Sequence, residues 1–125
     1  MKAVVGNKDI SFVKGKDKGE ALNDVTVFEG FMDFLSYLTF KKQSSLNSDV
    51  IVLNSDKLKE RAKDFIKKGN YGKVYTFFDN DVAGEKTDKS FAELKNDIIP
   101  CNHIYKGFKD FNEFWQNQIK KSIEK

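Results

Sequence analysis

Acidic residues at two places in the chain have the spacing of a metal site. Glu29 directly follows residues 25–28, an apolar run of β-branched and aromatic side chains that favours a β-strand. Asp79 and Asp81 stand two positions apart after a second such run, residues 74–78. If both runs are parallel strands of one sheet, they end at one edge, where open α/β sheets bind ligands. Because Mg²⁺ and Mn²⁺ prefer carboxylate oxygens, the sequence predicts a divalent-metal site at this edge.

Neighbouring residues support this interpretation without proving it. Gly30 permits a tight turn after Glu29, and Gly84 occupies a similar place after Asp81. Asp33 falls in the first turn of the helix predicted to follow, where the helix dipole favours an acid in any case. Acidic turns are also common in ordinary proteins. The metal site is therefore indicated by the pairing of the two motifs and not by either one alone.

The predicted strands alternate with amphipathic helical patterns. Helices are expected to begin near Phe31, Leu58, Ala83 and Phe111, each with apolar residues at helical spacing. This order predicts an α/β fold with a mostly parallel central sheet of about four strands and helices on both faces. The predicted strands are residues 25–28, 50–53, 74–78 and 102–105. Two short N-terminal strands, residues 3–5 and 10–13, are expected to precede them as a hairpin.

Composition limits the class of protein. A length of 125 residues predicts one domain. The formal charge of +3, from 22 basic and 19 acidic residues, is only a weak indication of a polyanionic partner. An ordinary solvated surface explains this charge at least as well. Twelve phenylalanines predict a core built on aromatic packing.

The chain has one cysteine and one histidine, which argues against disulfide bonds and against sites built on histidine. Cys101 has no partner for an internal disulfide, which suits a reducing cytoplasm, and we expect it to pack as a small apolar residue. His103 alone disfavours a histidine-based metal site or a Ser-His-Asp triad. No apolar run approaches the roughly 20 residues of a membrane helix. We therefore expect a cytoplasmic protein without membrane contact. The sequence does not determine the oligomeric state, for which we expect a monomer.

A glycine-containing loop near the N-terminus carries three lysines, Lys14, Lys16 and Lys18. They could contact the phosphate groups of a nucleotide or nucleic acid. A solvated polar loop also explains them, and we favour that second interpretation.

Two motifs resemble those of the Toprim domain, which bacterial primases share with topoisomerases, some nucleases and repair proteins. They are Glu29-Gly-Phe-Met-Asp33 and, about 50 residues later, Asp79-Asn-Asp-Val-Ala-Gly84. The resemblance is greatest to bacterial replicative primases. In addition, residues 50–55 resemble the second Toprim strand and its turn, and Gly107-Phe-Lys-Asp-Phe-Asn-Glu113 resembles the segment after the last core strand of those primases.

The chain also departs from the primase pattern. Asn80 stands where replicative primases usually have glycine. Their zinc-binding and helicase-binding regions have no counterpart in these 125 residues. We expect residues 1–125 to form a single Toprim domain, with residues 24–115 as its core and residues 1–23 as a remnant of the basic subdomain that precedes Toprim in primases.

The resemblance implies Mg²⁺-dependent nucleotidyl transfer, namely primer synthesis during DNA replication or mobile-element transfer, within a larger primase-like protein. It implies that Asp79 and Asp81 hold Mg²⁺ or Mn²⁺ on a nucleoside triphosphate, and that Glu29 is a second metal ligand or the general base. Asp33 would support the site. Lys109 and Asp110 would line the same edge, although Asp110 could equally serve only to begin a helix.

Two alternatives use the same fold. A Toprim nuclease would cleave phosphodiesters with the same acids, and a binding scaffold would keep the fold without chemistry. The topoisomerase interpretation is weakest, because those enzymes take their nucleophilic tyrosine from a separate domain. The implied partners are a DNA template and nucleoside triphosphates in the full-length protein, and we expect the chain alone to make little or no primer.

Overall fold

Five strands form one sheet in the computed structural model of the chain, which describes residues 9–16 and 23–123. The spatial order of the strands is β1-β3-β2-β4-β5. In chain order they are β1 (Ser11–Val13), β2 (Asn23–Phe28), β3 (Asp49–Val52), β4 (Tyr71–Phe77) and β5 (Asp97–Pro100).

All strands but β1 run parallel to one another. β2 lies at the centre and pairs with β3 on one side and β4 on the other, and β5 continues the sheet beyond β4. β1 pairs antiparallel with β3 at the opposite border. The predicted mostly parallel sheet is confirmed. The register sets Phe28 level with Val52 and Phe77, so three neighbouring strands end together.

Four helices cover the two faces of this sheet. α1 and α4 pack against each other on one face, whereas α2 and α3 lie on the other, as predicted. Among the described residues, no helix has the length and apolar character that crossing a membrane requires. The helices are α1 (Phe31–Lys41), α2 (Lys59–Lys68), α3 (Val82–Phe91) and α4 (Phe111–Ile123).

The sheet divides the core into two layers because successive strand side chains point to opposite faces. Val27 packs toward α2 and α3, whereas Phe28 packs toward α1 and α4. The Phe28 ring stacks on Phe77 with 4.8 Å between centroids, and Phe111 of α4 meets Phe77 edge-on. The predicted aromatic core therefore lies mainly on the α1–α4 face, and Cys101 is buried in the same layer.

The last predicted strand is wrong. Asn102–Tyr105 forms a 3₁₀ helix, and the strand beside β4 is Asp97–Pro100 instead. Pro100 is typical of a residue that ends a strand, so the sequence pattern favours a strand after it and not before it. The N–H of Cys101 donates to the carbonyl of Thr76 in β4, so the N–H that Pro100 lacks would have faced the open border of the sheet. Proline is tolerated at such an edge position.

Other boundaries also differ from the sequence prediction. The sequence predicts that the helix beginning near Ala83 continues to about Asn96. α3 ends at Phe91, because the residues after it turn into β5. The second N-terminal strand forms as β1, but its described partner is β3. The other half of the predicted hairpin, residues 3–5, lies outside the described residues.

Tyr105 connects the segment after β5 to the end of β4. Its buried hydroxyl donates a 2.6 Å hydrogen bond to the carbonyl of Phe78. We expect Tyr105→Phe to lower the free energy of unfolding by about 1–2 kcal/mol, because a buried carbonyl loses its partner. Urea denaturation measures this loss. Tyr75→Phe is the control, since the Tyr75 hydroxyl has no hydrogen-bond partner among the described residues, and an equal loss in both variants would contradict the assignment.

Candidate metal and catalytic site

Glu29 begins the site at the end of the central strand. Its backbone N–H donates to the carbonyl of Phe77 at 3.4 Å, and its carbonyl accepts from the N–H of Asn54 at 3.1 Å. The residue is thus tied to both neighbouring strands just where they end. Its half-buried side chain accepts a 3.3 Å hydrogen bond at Oε1 from the N–H of Asp79.

Three aspartates from distant parts of the chain meet next to Glu29. Asp79 follows β4, Asp33 lies in the first turn of α1, and Asp110 precedes α4. One carboxylate oxygen of each lies within 4.8 Å of the others. This is the spacing of oxygen atoms that can share one divalent cation. Asp33 and Asp110, which the sequence analysis placed in supporting roles, are therefore nearer to the centre of the site than expected.

Backbone N–H groups orient two of these carboxylates. Asp33 is buried and accepts at Oδ1 from the N–H of Asn112 at 3.0 Å. Asp110 accepts from the N–H of Glu113 at 2.8 Å and so caps the start of α4. Asp33 also receives a backbone hydrogen bond from Gly30. The second oxygen of Asp110 has no backbone donor among the described residues and is available to a ligand.

Asp81 has a different position from the three clustered aspartates. It is the N-cap of α3, and its Oδ1 accepts from the N–H of Gly84 at 2.8 Å. A Cβ atom on Gly84 would overlap the carbonyl oxygen of Asp79, so glycine permits this tight turn. Asp81 is close enough for its charge to raise the pKa values of Glu29 and Asp79, but it does not belong to the group of three.

The acidic cleft formed by these residues has a volume of about 260 Å³. Gly30 forms part of its floor, and a Cβ atom there would lie 3.3 Å from Oδ2 of Asp33. Asn54 and Ser55 add a polar wall after β3 that the sequence analysis did not identify as part of the site. The lining residues are Glu29, Gly30, Asp33, Asn54, Ser55, Asp79, Ala83 and Asp110.

Burial and mutual repulsion keep protons in this cleft. Burial, followed by the nearby charge of Asp79, raises the pKa of Glu29 to about 8. Burial is also the main cause that raises the pKa of Asp79, whereas a hydrogen bond from Glu29 lowers it. Burial raises the pKa of Asp33 to about 6. The shifts of Glu29 and Asp79 have the same direction, so the metal-free cleft retains a proton to higher pH than separate carboxyl groups would.

The predicted lysines lie in two different places. Lys109 is exposed beside the acidic cleft, and its charge lowers the pKa of Asp79. Lys14 and Lys16 follow β1, which runs antiparallel to β3, so they lie near the start of β3 at the opposite edge of the sheet. The structure therefore does not bring these two lysines to the acids. Lys18 lies outside the described residues.

A mostly parallel sheet with clustered carboxylates at its carboxyl edge defines an α/β domain with a candidate divalent-metal site. The chain belongs to the Toprim-like family, whose pattern matches residues 26–115. Among solved structures it is similar to the primase fragment of the bacteriophage T7 primase-helicase protein, with a TM-score of 0.61 and 18% identity. That match covers 82% of this chain and 42% of the phage chain. No curated protein sequence matches significantly.

The raised pKa of Glu29 predicts a pH-dependent stability. A carboxyl group whose pKa is higher in the folded than in the unfolded state binds protons on folding, so the free energy of unfolding falls as pH rises between the two values. For Glu29 this window runs from 4.5 to about 8. In metal-free buffer we expect the wild type to lose stability as pH rises from 6 to 8 more steeply than Glu29→Gln, as measured by urea denaturation.

The matched control for this measurement is Glu85→Gln. Glu85 is exposed on α3 and is not among the residues that line the acidic cleft. This variant should keep the slope of the wild type. Equal slopes in the wild type and Glu29→Gln would show that Glu29 is not desolvated as described.

Proposed function

We propose that the chain is the catalytic Toprim module of a primase-like protein and performs divalent-metal-dependent nucleotidyl transfer. The observation that supports this most is the meeting of Asp33, Asp79 and Asp110 beside Glu29 in one cleft. In addition, residues 26–115 belong to the Toprim-like family. Within this proposal the partners are a DNA template and nucleoside triphosphates in the cytoplasm.

The donor set suits Mg²⁺ or Mn²⁺. Carboxylate oxygens are the ligands these hard ions prefer, and Mg²⁺ commonly takes one or two of them with water and substrate phosphate. Asp33, Asp79 and Asp110 would hold the ion, and Asp81 would add negative charge nearby while it caps α3. When bound, the ion would neutralise charge that develops on the phosphoryl group.

Glu29 is proposed to act as the general base. It would accept the proton of the attacking hydroxyl at a carboxylate oxygen once a bound cation has displaced the proton that Glu29 retains in the metal-free protein. The N–H of Asp79 holds the Glu29 side chain in place through Oε1. Asp33, anchored by Asn112, keeps its carboxylate turned to the same cleft. A nuclease would use the same groups with water in place of the hydroxyl.

Metal binding is expected to stabilise the fold through these aspartates. Wild-type protein should gain about 1.4 kcal/mol when Mn²⁺ stands roughly tenfold above its Kd, because the ion binds only the folded state. Asp79→Asn and Asp110→Asn should gain little, because each loses a charged ligand. Thermal unfolding with Mn²⁺ or with EDTA measures the gain.

Asp97→Asn provides the control for metal binding. Asp97 is exposed at the start of β5, at the opposite edge of the sheet. This variant should keep the full stabilisation by Mn²⁺. If the wild type gains nothing, or if all variants gain equally, the three aspartates do not form a metal site.

Activity separates nucleotidyl transfer from cleavage and from a scaffold role. The protein is incubated with single-stranded DNA, ribonucleoside triphosphates and Mn²⁺, and the products are resolved by length. We expect weak template-dependent nucleotide addition, which Glu29→Gln lowers by about 10²-fold or more through loss of the base. Shortened DNA without triphosphates would instead indicate a nuclease. Products unaffected by Glu29→Gln and Asp79→Asn would contradict catalysis at this site.

A further inference from the structure

A second cleft, of about 660 Å³, shares a wall with the acidic cleft. It lies between the turn after β4 and the segment before α4, and we call it the basic cleft. Lys106, Lys109 and His103 line it, together with Phe108. No acidic residue is among the described residues that line it.

Two pairs of consecutive residues form the wall between the clefts. In each pair, one residue lines the acidic cleft and the other lines the basic cleft. Asp79 and Asp110 line the acidic cleft, whereas their neighbours Asn80 and Lys109 line the basic cleft. The N–H of Asn80 donates to the carbonyl of Lys109 at 2.6 Å and joins the two pairs. A ligand in the basic cleft therefore lies one residue away from the clustered carboxylates.

Asn80 holds this wall rigidly in place. Its side-chain amide donates to the carbonyls of Tyr105 and Phe108 at 3.2 and 3.0 Å, and its Oδ1 accepts from Asn102 at 3.0 Å. Glycine at this position could make none of these three bonds. The loop that carries Lys106 and Lys109 is thus fixed before any ligand arrives, which lowers the entropy lost on binding.

The cations of the basic cleft are available to an anion. Lys106 and Lys109 are both exposed, and neither forms an ion pair within residues 9–16 and 23–123. The contrast is Lys63, whose ammonium group already pairs with Glu93 at 2.7 Å. Free lysines beside an aromatic side chain are what nucleic-acid strands and nucleotides require, since the cations attract phosphate and the ring contacts a base or sugar.

We propose that the basic cleft binds a phosphate group of the nucleotide or nucleic-acid strand that reacts in the acidic cleft, through Lys106 and Lys109. This inference rests on the proposed function, because it assigns the reacting group to the neighbouring carboxylates. The same phosphate chemistry has two sources, the backbone of a strand and the triphosphate of an incoming nucleotide. Phosphate bound here would set the distance between the reacting phosphoryl group and Glu29.

The test is a binding titration in EDTA, so that no metal contributes. Fluorescently labelled single-stranded DNA and, separately, a labelled nucleoside triphosphate are titrated with the wild type and with the double variant Lys106→Gln/Lys109→Gln, at several salt concentrations. For the strand, each lost phosphate contact should lower the slope of log affinity against log salt by about 0.7. The double variant should therefore lose about 1.4 from the slope, with the greatest loss of affinity at low salt.

The control is the double variant Lys67→Gln/Lys68→Gln, which loses the same charge at the end of α2, at the opposite edge of the sheet. This control should bind both probes like the wild type. Loss confined to the DNA probe assigns the phosphate to a strand, and loss confined to the triphosphate assigns it to the incoming nucleotide; either outcome supports the proposal. Equal binding by the wild type and the Lys106/Lys109 variant, equal loss in both double variants, or no binding of either probe by the wild type would overturn it.

The metal measurement keeps the two ideas separate. If Mn²⁺ fails to stabilise the wild type while the Lys106/Lys109 variant still loses affinity in EDTA, the proposed metal chemistry fails and the basic cleft stands. If Mn²⁺ stabilises the protein through Asp79 but the titrations show no dependence on Lys106 and Lys109, only the basic cleft is refuted.

Discussion

Repulsion among carboxylates that are partly removed from water is the constraint on which the arrangement of this molecule depends. Glu29, Asp33, Asp79 and Asp110 meet in one cleft. Burial raises the pKa of the first three, so their ionisation is less favourable than in water. The protein holds them together with backbone N–H donors and with protons that the raised pKa values retain. Under the proposed function, a bound cation would take the place of these protons.

The parallel register of the sheet fixes the positions of these carboxylates relative to one another. β2 and β4 end at the same level, so Glu29 and Asp79 emerge side by side and share a hydrogen bond. Asp33 in the first turn of α1 and Asp110 just before α4 lie at the same edge, where α1 and α4 are in contact and the N–H of Asn112 donates to Asp33. Each acid is therefore positioned by a different element, and the rigid sheet is what relates them.

Local patterns in the sequence revealed only part of this site. Glu29 and Asp79 could be predicted because strand endings and turns are short-range features. The central position of Asp110 could not, since it depends on side-chain bonds between Asn80 and a loop about 25 residues further on. The D-x-D pattern likewise does not reveal that Asp81 caps α3. The strand β5 was missed because a proline at the edge of a sheet looks the same in sequence as one that ends a strand.

Pro100 has a further consequence for how copies of this protein meet in concentrated solution. The open border of a sheet is a template on which another chain can add a strand, which is a common route to fibres and aggregates. On β5 the proline removes a hydrogen-bond donor from that border, and at the other border β1 offers only three residues. Both borders of the described sheet therefore disfavour the addition of a strand from another copy. This lowers the tendency to aggregate when the protein is present at high concentration.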